Sequence, residues 1–452
     1  MSHKIIKSNN LNSLVDAYIS VYEENGVLAQ KTKINIPVDL RNRNILYVIN
    51  DNYDMQMMYE MVNIINNISS DYNIYLLMAD KSTINIYKYN PRRGNVFNLL
   101  DDDLRRVFEF IEKWYMKHDF TLLTESKSEY KNVYKRIIRN YNIDLIHIQH
   151  MAYHTIDLLE VAKDKQINTI LTLNDLYYIK PTNTITNDKY MQYDENNPIV
   201  DEKEDDMIDN TYPNLELFNQ IWTKRCSKMF KYPKYIIAQS NSIYDIYTQT
   251  YPEIKDKIKI IKQGYDINVD DEITSPTLNH EKPARILIPG DINTIDDIKY
   301  LEDLKKQDME NNLEFHILGE NKTEYNVESL AKLHSEYSHE SFKKQIENIK
   351  PQFIGEFLEI SNLHSYNLTQ AWNNKIPVLA INNTTSTDYI KESGGGYVLS
   401  EDPKKAYEKI VELLSDDEKY QIISDQIANI DIEDTESMIS EYINLYDNII
   451  RK

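Results

Sequence analysis

The chain has 452 residues, with 72 Asp or Glu against 51 Lys or Arg, for a formal charge of -21. That length predicts two or three domains around a large core, and the acidic balance excludes nucleic acid or anionic lipid as a main partner, since both require concentrated Lys and Arg. A lone cysteine, Cys226, excludes a disulfide framework and a thiolate metal cluster.

No apolar run approaches the ~18 residues of a membrane span. The opening MSHKIIKSNNLNS lacks the apolar centre of a signal peptide, so the expected location is cytoplasmic. Residues 1–43 read as a helical extension. From there strand and helix signals alternate. ILYVIN (45–50) reads as a strand, 55–70 as a helix, YNIYLLMAD (72–80) as a strand, and 100–117 and 127–141 as helices. IDLIHIQH (143–150) and TILTLND (169–175) are strands separated by a helix. An acidic insert at 183–213 reads as a solvated loop. A helix at 215–231, the strand YIIAQS (235–240), another helix and the strand IKIIKQG (258–264) complete the first run, 44–267.

The polar stretch 268–283 carries two prolines and reads as a linker. Alternation then resumes over 284–416: ARILIPG, a helix near 295–308, LEFHILG, further helix, FIGEFLEI, a helix at 366–374, IPVLAIN, another helix and GGGYVLS. Residues 417–452 read as C-terminal helices, and the apolar stripe of 434–450 suits docking on the first domain. The fold class is therefore α/β, two Rossmann-like doubly wound parallel-sheet domains facing a cleft.

Ligands of such sheets sit beyond the carboxyl ends of strands. The candidate loops are Asn50–Tyr53, His147–His154, Asn174–Asp175, Gln263–Gly264, Gly290–Thr294 and Asn362–Asn367. His150 and His154, four residues apart, would suit a metal on a helix, but His147 lies in a strand and no HExxH pattern is present, so no metal is expected. There are only 9 glycines, no Walker loop, no GxGxxG after a strand and no GxSxG elbow. A P-loop enzyme, a nicotinamide dehydrogenase and an α/β-hydrolase are thereby disfavoured. Gly394–Gly396 reads as a tight turn before a strand.

Several of these segments, in this order, resemble the retaining family 4 glycosyltransferases of GT-B fold (glycosyl transferases group 1). IDLIHIQH with TILTLND resembles the middle of that family's N-terminal domain, and KIIKQGYD (259–266) its last strand before the linker. LIPGDIN (287–293) resembles the Gly-Arg loop that opens the donor domain, and residues 361–399 resemble the donor-binding block. The similarity spans most of 44–416.

The resemblance implies metal-independent hexosyl transfer from a nucleotide-sugar, without a resident cofactor. It implies a catalytic-side role for His150, and donor contacts from Gly290, Asp291, Asn293, Asn362, His364, Ser365, Tyr366, Asn367 and Gln370. Asn174, Asp175, Gln263 and Gly264 would line the acceptor side. The motifs are degenerate. Asp291 and Asp296–Asp297 stand where the family has the Arg and Lys that hold the diphosphate, and Asn362 and Gln370 replace its two glutamates. Lys299 and Lys262 are the cations nominated to compensate.

Two readings follow. In the first, the protein transfers a sugar to a glycan, teichoic acid or protein acceptor. In the second, it is a noncatalytic pseudoenzyme, an assembly, chaperone or glycan-binding subunit beside another glycosyltransferase or a secretion-pathway protein. A sugar-phosphate epimerase on the same scaffold is a third, weaker reading.

Overall fold

A computed structural model describes residues 43–51, 55–80, 82–91, 107–116, 126–179, 215–264, 283–292, 295–321, 323–334, 339–358, 366–381, 385–427, 429–430 and 434–450. The N-terminal extension apart from Arg43, the acidic insert, and the linker apart from Pro283 lie outside the described residues.

The first sheet has eight strands in the order β4-β3-β2-β1-β5-β6-β7-β8. These are β1 (Arg43–Asn50), β2 (Tyr72–Ala79), β3 (Thr83–Tyr89), β4 (Phe108–Tyr115), β5 (Leu145–Ile148), β6 (Asn168–Leu173), β7 (Tyr235–Ala238) and β8 (Ile258–Ile260). Its helices are α1 (Met55–Ile68), α2 (Ser128–Asn140), α3 (Asp157–Asp164), α4 (Leu215–Met229) and α5 (Asn241–Thr250). The strands from β2 through β1 to β8 are parallel, and β3 and β4 add an antiparallel edge.

The second sheet is wholly parallel, with the order β11-β10-β9-β12-β13-β14. It comprises β9 (Ala284–Pro289), β10 (Leu313–Leu318), β11 (Ala331–His334), β12 (Phe353–Glu356), β13 (Val378–Ile381) and β14 (Gly396–Leu399). Its helices are α6 (Ile295–Gln307), α7 (His339–Ile349), α8 (Tyr366–Asn373), α9 (Thr385–Ser393), α10 (Pro403–Leu414) and α11 (Asp417–Ile427). The last helix, α12 (Thr435–Ile450), follows. The chain order reverses between β1 and β5 in one sheet and between β9 and β12 in the other, the switch points where doubly wound sheets bind ligands.

Alternation along β1 explains how this core is built. Ile45, Tyr47 and Ile49 face α1 and α12, where they meet Met61, Ile65, Met438, Tyr442, Leu445 and Tyr446. Thus α12 covers the first sheet although it follows the second in sequence. Burying a large apolar side chain contributes about 1.5–3 kcal/mol, and six on α12 belong to this cluster: Met438, Ile439, Tyr442, Leu445, Tyr446 and Ile449. Gly264 allows the approach, because a Cβ there would lie 2.4 Å from both Asp434 O and Thr435 Cα.

Three strands depart from the sequence reading. The expected helix at 100–117 contains β4, and β3 and β11 lie where the sequence pattern predicts no strand. In β4, Phe108 and Ile111 are both buried, a spacing of three that imitates a helix. The register with β3 shifts between Ile86 and Tyr87, pairing Tyr87 with Phe110 and Ile86 with Glu112. Ile111 is the extra residue of a bulge, which converts a period of two into an apparent helical one. β11 is a four-residue edge strand with two exposed positions, too short to show a period.

Candidate functional site

At the carboxyl end of β5, His150 is 3% exposed and held by both ring nitrogens. Its Nδ1 accepts from Ala152 N at 3.0 Å, so Nε2 carries the proton and donates to Asp175 Oδ2 at 3.1 Å. Asp175 is anchored in turn: its Oδ1 accepts from Tyr177 N at 2.9 Å, and its carbonyl accepts from Tyr247 Oη at 2.5 Å. The imidazole also lies against the Tyr177 ring, with centroids 4.6 Å apart. This is a carboxylate–histidine dyad at the first switch point. Neither ring nitrogen of His150 is open to accept a proton in this arrangement.

Beside it, Asn174 Nδ2 donates to Gln149 O (2.8 Å) and Gln149 Oε1 (3.0 Å). From there polar contacts continue inward, as Gln149 Nε2 lies 3.3 Å from His147 Nε2, which is 2.8 Å from Thr172 Oγ1. His147 Nδ1 meets Tyr446 Oη at 2.6 Å, and Tyr446 meets Tyr47 Oη at 2.8 Å. Burial pushes the His147 imidazole down to about 3. His154 is likewise a core residue. Its Nε2 donates to Ile49 O at 2.8 Å, leaving Nδ1 to accept from Tyr134 Oη at 3.2 Å, and burial lowers its pKa to about 4. Among the described residues, no group of three or more His, Cys, Asp or Glu is placed to hold a metal.

Gln263 is buried at the end of β8. Its backbone N–H donates to Tyr389 Oη at 3.0 Å, and its side-chain Oε1 has no protein partner among the described residues. Gly264 serves the packing of α12 described above. Sequence reasoning also passed over Glu60, which is 2% exposed. Tyr442 Oη donates to its Oε1 at 3.0 Å, and Gln239 Nε2 donates to Oε2. Burial raises this carboxyl to about 7, against the opposing effect of the Tyr442 hydrogen bond. A signal was available, since Glu60 is the sole acid in the Met-rich apolar helix α1.

In the second sheet, Gly290 follows β9 at φ +126°, a conformation that disfavours a side chain. Gly319 follows β10, and a Cβ there would come within 2.2 Å of Gly290 O. The two loops are therefore in backbone contact, fastened by Ile292 N donating to Glu320 O at 2.8 Å. Asp291 completes this fastening, because its Oδ1 accepts from Glu320 N at 2.8 Å.

Of the other donor-side residues, Asn367 is half-buried on α8, and Gln370 is 5% exposed beside the core residues Leu368, Ala371 and Trp372. Asn293, Asn362, His364 and Ser365 lie outside the described residues, as do the side chains of Tyr366, Asp296 and Asp297. The nominated cations fare differently. Lys299 is exposed on α6, whereas Lys262 Nζ lies 2.7 Å from each carboxylate oxygen of Glu392. Gly394 and Gly395 make the bend between α9 and β14, and Gly396 opens the strand. Gly394 stands at φ +71° after α9, and a Cβ on Gly396 would lie 2.2 Å from Val378 O.

This topology is shared with solved glycosyltransferases. A glycosyltransferase from Rickettsia africae matches with a TM-score of 0.55 and 13% identity over 91% of this chain and 99% of that one. HepE of Anabaena, in complex with UDP and glucose, matches at 0.57 with 11% identity over 89% and 99%. Sucrose-phosphate synthase from Thermosynechococcus elongatus matches at 0.59 with 9% identity over 91% and 100%. The fold is GT-B. Within it, residues 127–269 match the sequence profile of Glycosyltransferase Family 4, a stretch that contains the His150–Asp175 dyad. No curated protein matches the sequence. The chain is thus glycosyltransferase-like in fold and in its family profile, and among the described residues no helix is long and apolar enough to cross a membrane.

Proposed function

We propose that this GT-B protein binds a nucleotide-sugar at the carboxyl ends of its second sheet and transfers the sugar, without a metal, to a glycan, teichoic acid or protein acceptor held at the first. The observation that carries this reading is the family 4 profile over 127–269, coincident with a buried His150–Asp175 dyad at the switch point of the first sheet. The fold neighbour HepE, which holds UDP and glucose, supports a nucleotide-sugar as the donor class. In this reading His150 orients the acceptor side. Donor contacts fall to the Gly290–Asn293 loop and to the Asn362–Gln370 segment, which leads into α8.

A second reading, a noncatalytic subunit serving assembly, chaperoning or glycan binding, is favoured by three observations. Both His150 nitrogens are engaged, Asp291 brings negative charge to the loop where the family places Arg, and Lys262 is neutralised by Glu392. A leaving diphosphate requires positive charge aimed at it. Calorimetry with UDP-, GDP- and CMP-linked sugars tests donor binding: millimolar or tighter affinity supports both donor recognition and the active reading, and silence across the panel removes them. Turnover of a bound donor, with and without partner proteins, then separates catalysis from binding alone.

A further inference from the structure

We propose that α9 is an interdomain latch that holds the two sheets at one fixed opening through Asp388, Tyr389 and Glu392. The helix belongs firmly to the second sheet. It follows β13, ends at Gly394, and is succeeded by Gly395 and Gly396, whose absent side chains permit contact with Trp372 Nε1 and Val378 O. Trp372 Nε1 donates to Gly395 O at 2.9 Å and closes this attachment.

From that base, three residues reach the carboxyl ends of the last two strands of the first sheet. Tyr389, 2% exposed, donates its hydroxyl to Gln239 O at 2.9 Å and accepts from Gln263 N at 3.0 Å. One oxygen thus satisfies a backbone acceptor after β7 and a backbone donor after β8, groups that burial would otherwise leave unpaired. Asp388 Oδ2 accepts from Ser242 N at 2.8 Å in the first turn of α5, where helix amides need partners and negative charge is favoured. Ser240 already serves that helix as N-cap, accepting from Ile243 N at 3.2 Å, so the two acceptors divide the free amides between them.

Glu392, one turn beyond Asp388, holds Lys262 with both oxygens at 2.7 Å. These contacts differ in kind: a buried hydroxyl, a helix cap and an ion pair. All come from one short helix and all fall on the first sheet's carboxyl edge. Separating the edges would break them together, and closing the latch keeps Lys262 occupied.

Double electron–electron resonance on the full chain tests this, with spin labels at Asp164→Cys on α3 and Lys405→Cys on α10, both exposed and one on each domain. The labelled parent is expected to give one distance population, and Asp388→Asn/Tyr389→Phe/Glu392→Gln to add a longer one. Lys262→Glu, which sets two carboxylates together, is expected to do the same, and Lys262→Glu/Glu392→Lys to restore the single population. An unchanged distribution in a triple variant with native circular dichroism overturns the latch. Should the triple variant fail to fold, an unchanged distribution in Lys262→Glu overturns it instead.

Discussion

Glu60→Gln is the perturbation whose effect follows most directly from this structure. The carboxyl sits at the junction of α1, β7 and α12, with Tyr442 donating to one oxygen and Gln239 to the other. Its pKa rises from an ordinary 4.5 to about 7 because burial penalises the charged form. The folded chain therefore holds this proton more tightly than the unfolded chain. Glu60 favours the fold fully below pH 4.5, and that contribution is lost as pH rises through about 7. At about 1.4 kcal/mol per pH unit over the interval between the two pKa values, the wild type loses on the order of 2–3 kcal/mol from this group between pH 5 and pH 8. Glutamine is the uncharged isostere and keeps an oxygen for Tyr442, while the Gln239 amide can turn to accept. Urea unfolding of both proteins at pH 5 and pH 8 reads the double difference. Glu60→Gln should gain on the order of 2–3 kcal/mol relative to wild type on going to pH 8. A difference that stays constant with pH would refute the argument that Glu60 is uncharged because it is buried.

The buried histidines carry the opposite sign: with folded values of about 3 for His147 and about 4 for His154, against 6.5 unfolded, their contribution is present above pH 6.5 and lost as pH falls. His147→Gln or His154→Gln should flatten the acid limb of urea stability by about 1.4 kcal/mol per pH unit below pH 6. Gly264→Ala should cost about 1–3 kcal/mol by overpacking against Asp434 and Thr435, read as a lower urea midpoint with faster hydrogen exchange in α12. Asp291→Asn retains an oxygen for Glu320 N and should be close to neutral, whereas Asp291→Ala should lose about 1 kcal/mol in the same unfolding assay.

Much of the architecture was legible because burial leaves a local record. β1, β5 and β6 are short apolar runs bounded by polar loops, which is how strands covered on both faces read. The stripe of 434–450 announced a helix needing a partner, and the glycine run before Tyr397 announced a turn. β4 reads as a helix for an equally local reason: its own bulge, with Ile111 as the extra residue, gives Phe108 and Ile111 a helical spacing.

The chemistry of the site was decided elsewhere. A residue type states what a side chain can do, but its partners determine what remains available. Sequence put His150 at a strand end, where Ala152 N and Asp175 then occupy both its nitrogens. It offered Lys262 as a cation, which the fold brings to Glu392, 130 positions away. It marked Glu60 as an acid in an apolar helix, and Tyr442, 382 positions away, helps to surround it with protein in place of water. Hydrophobic periodicity is written within one element and survives in the sequence. Hydrogen-bond and charge partnerships join elements that only tertiary packing makes neighbours, so they set protonation and availability at a level no local pattern records.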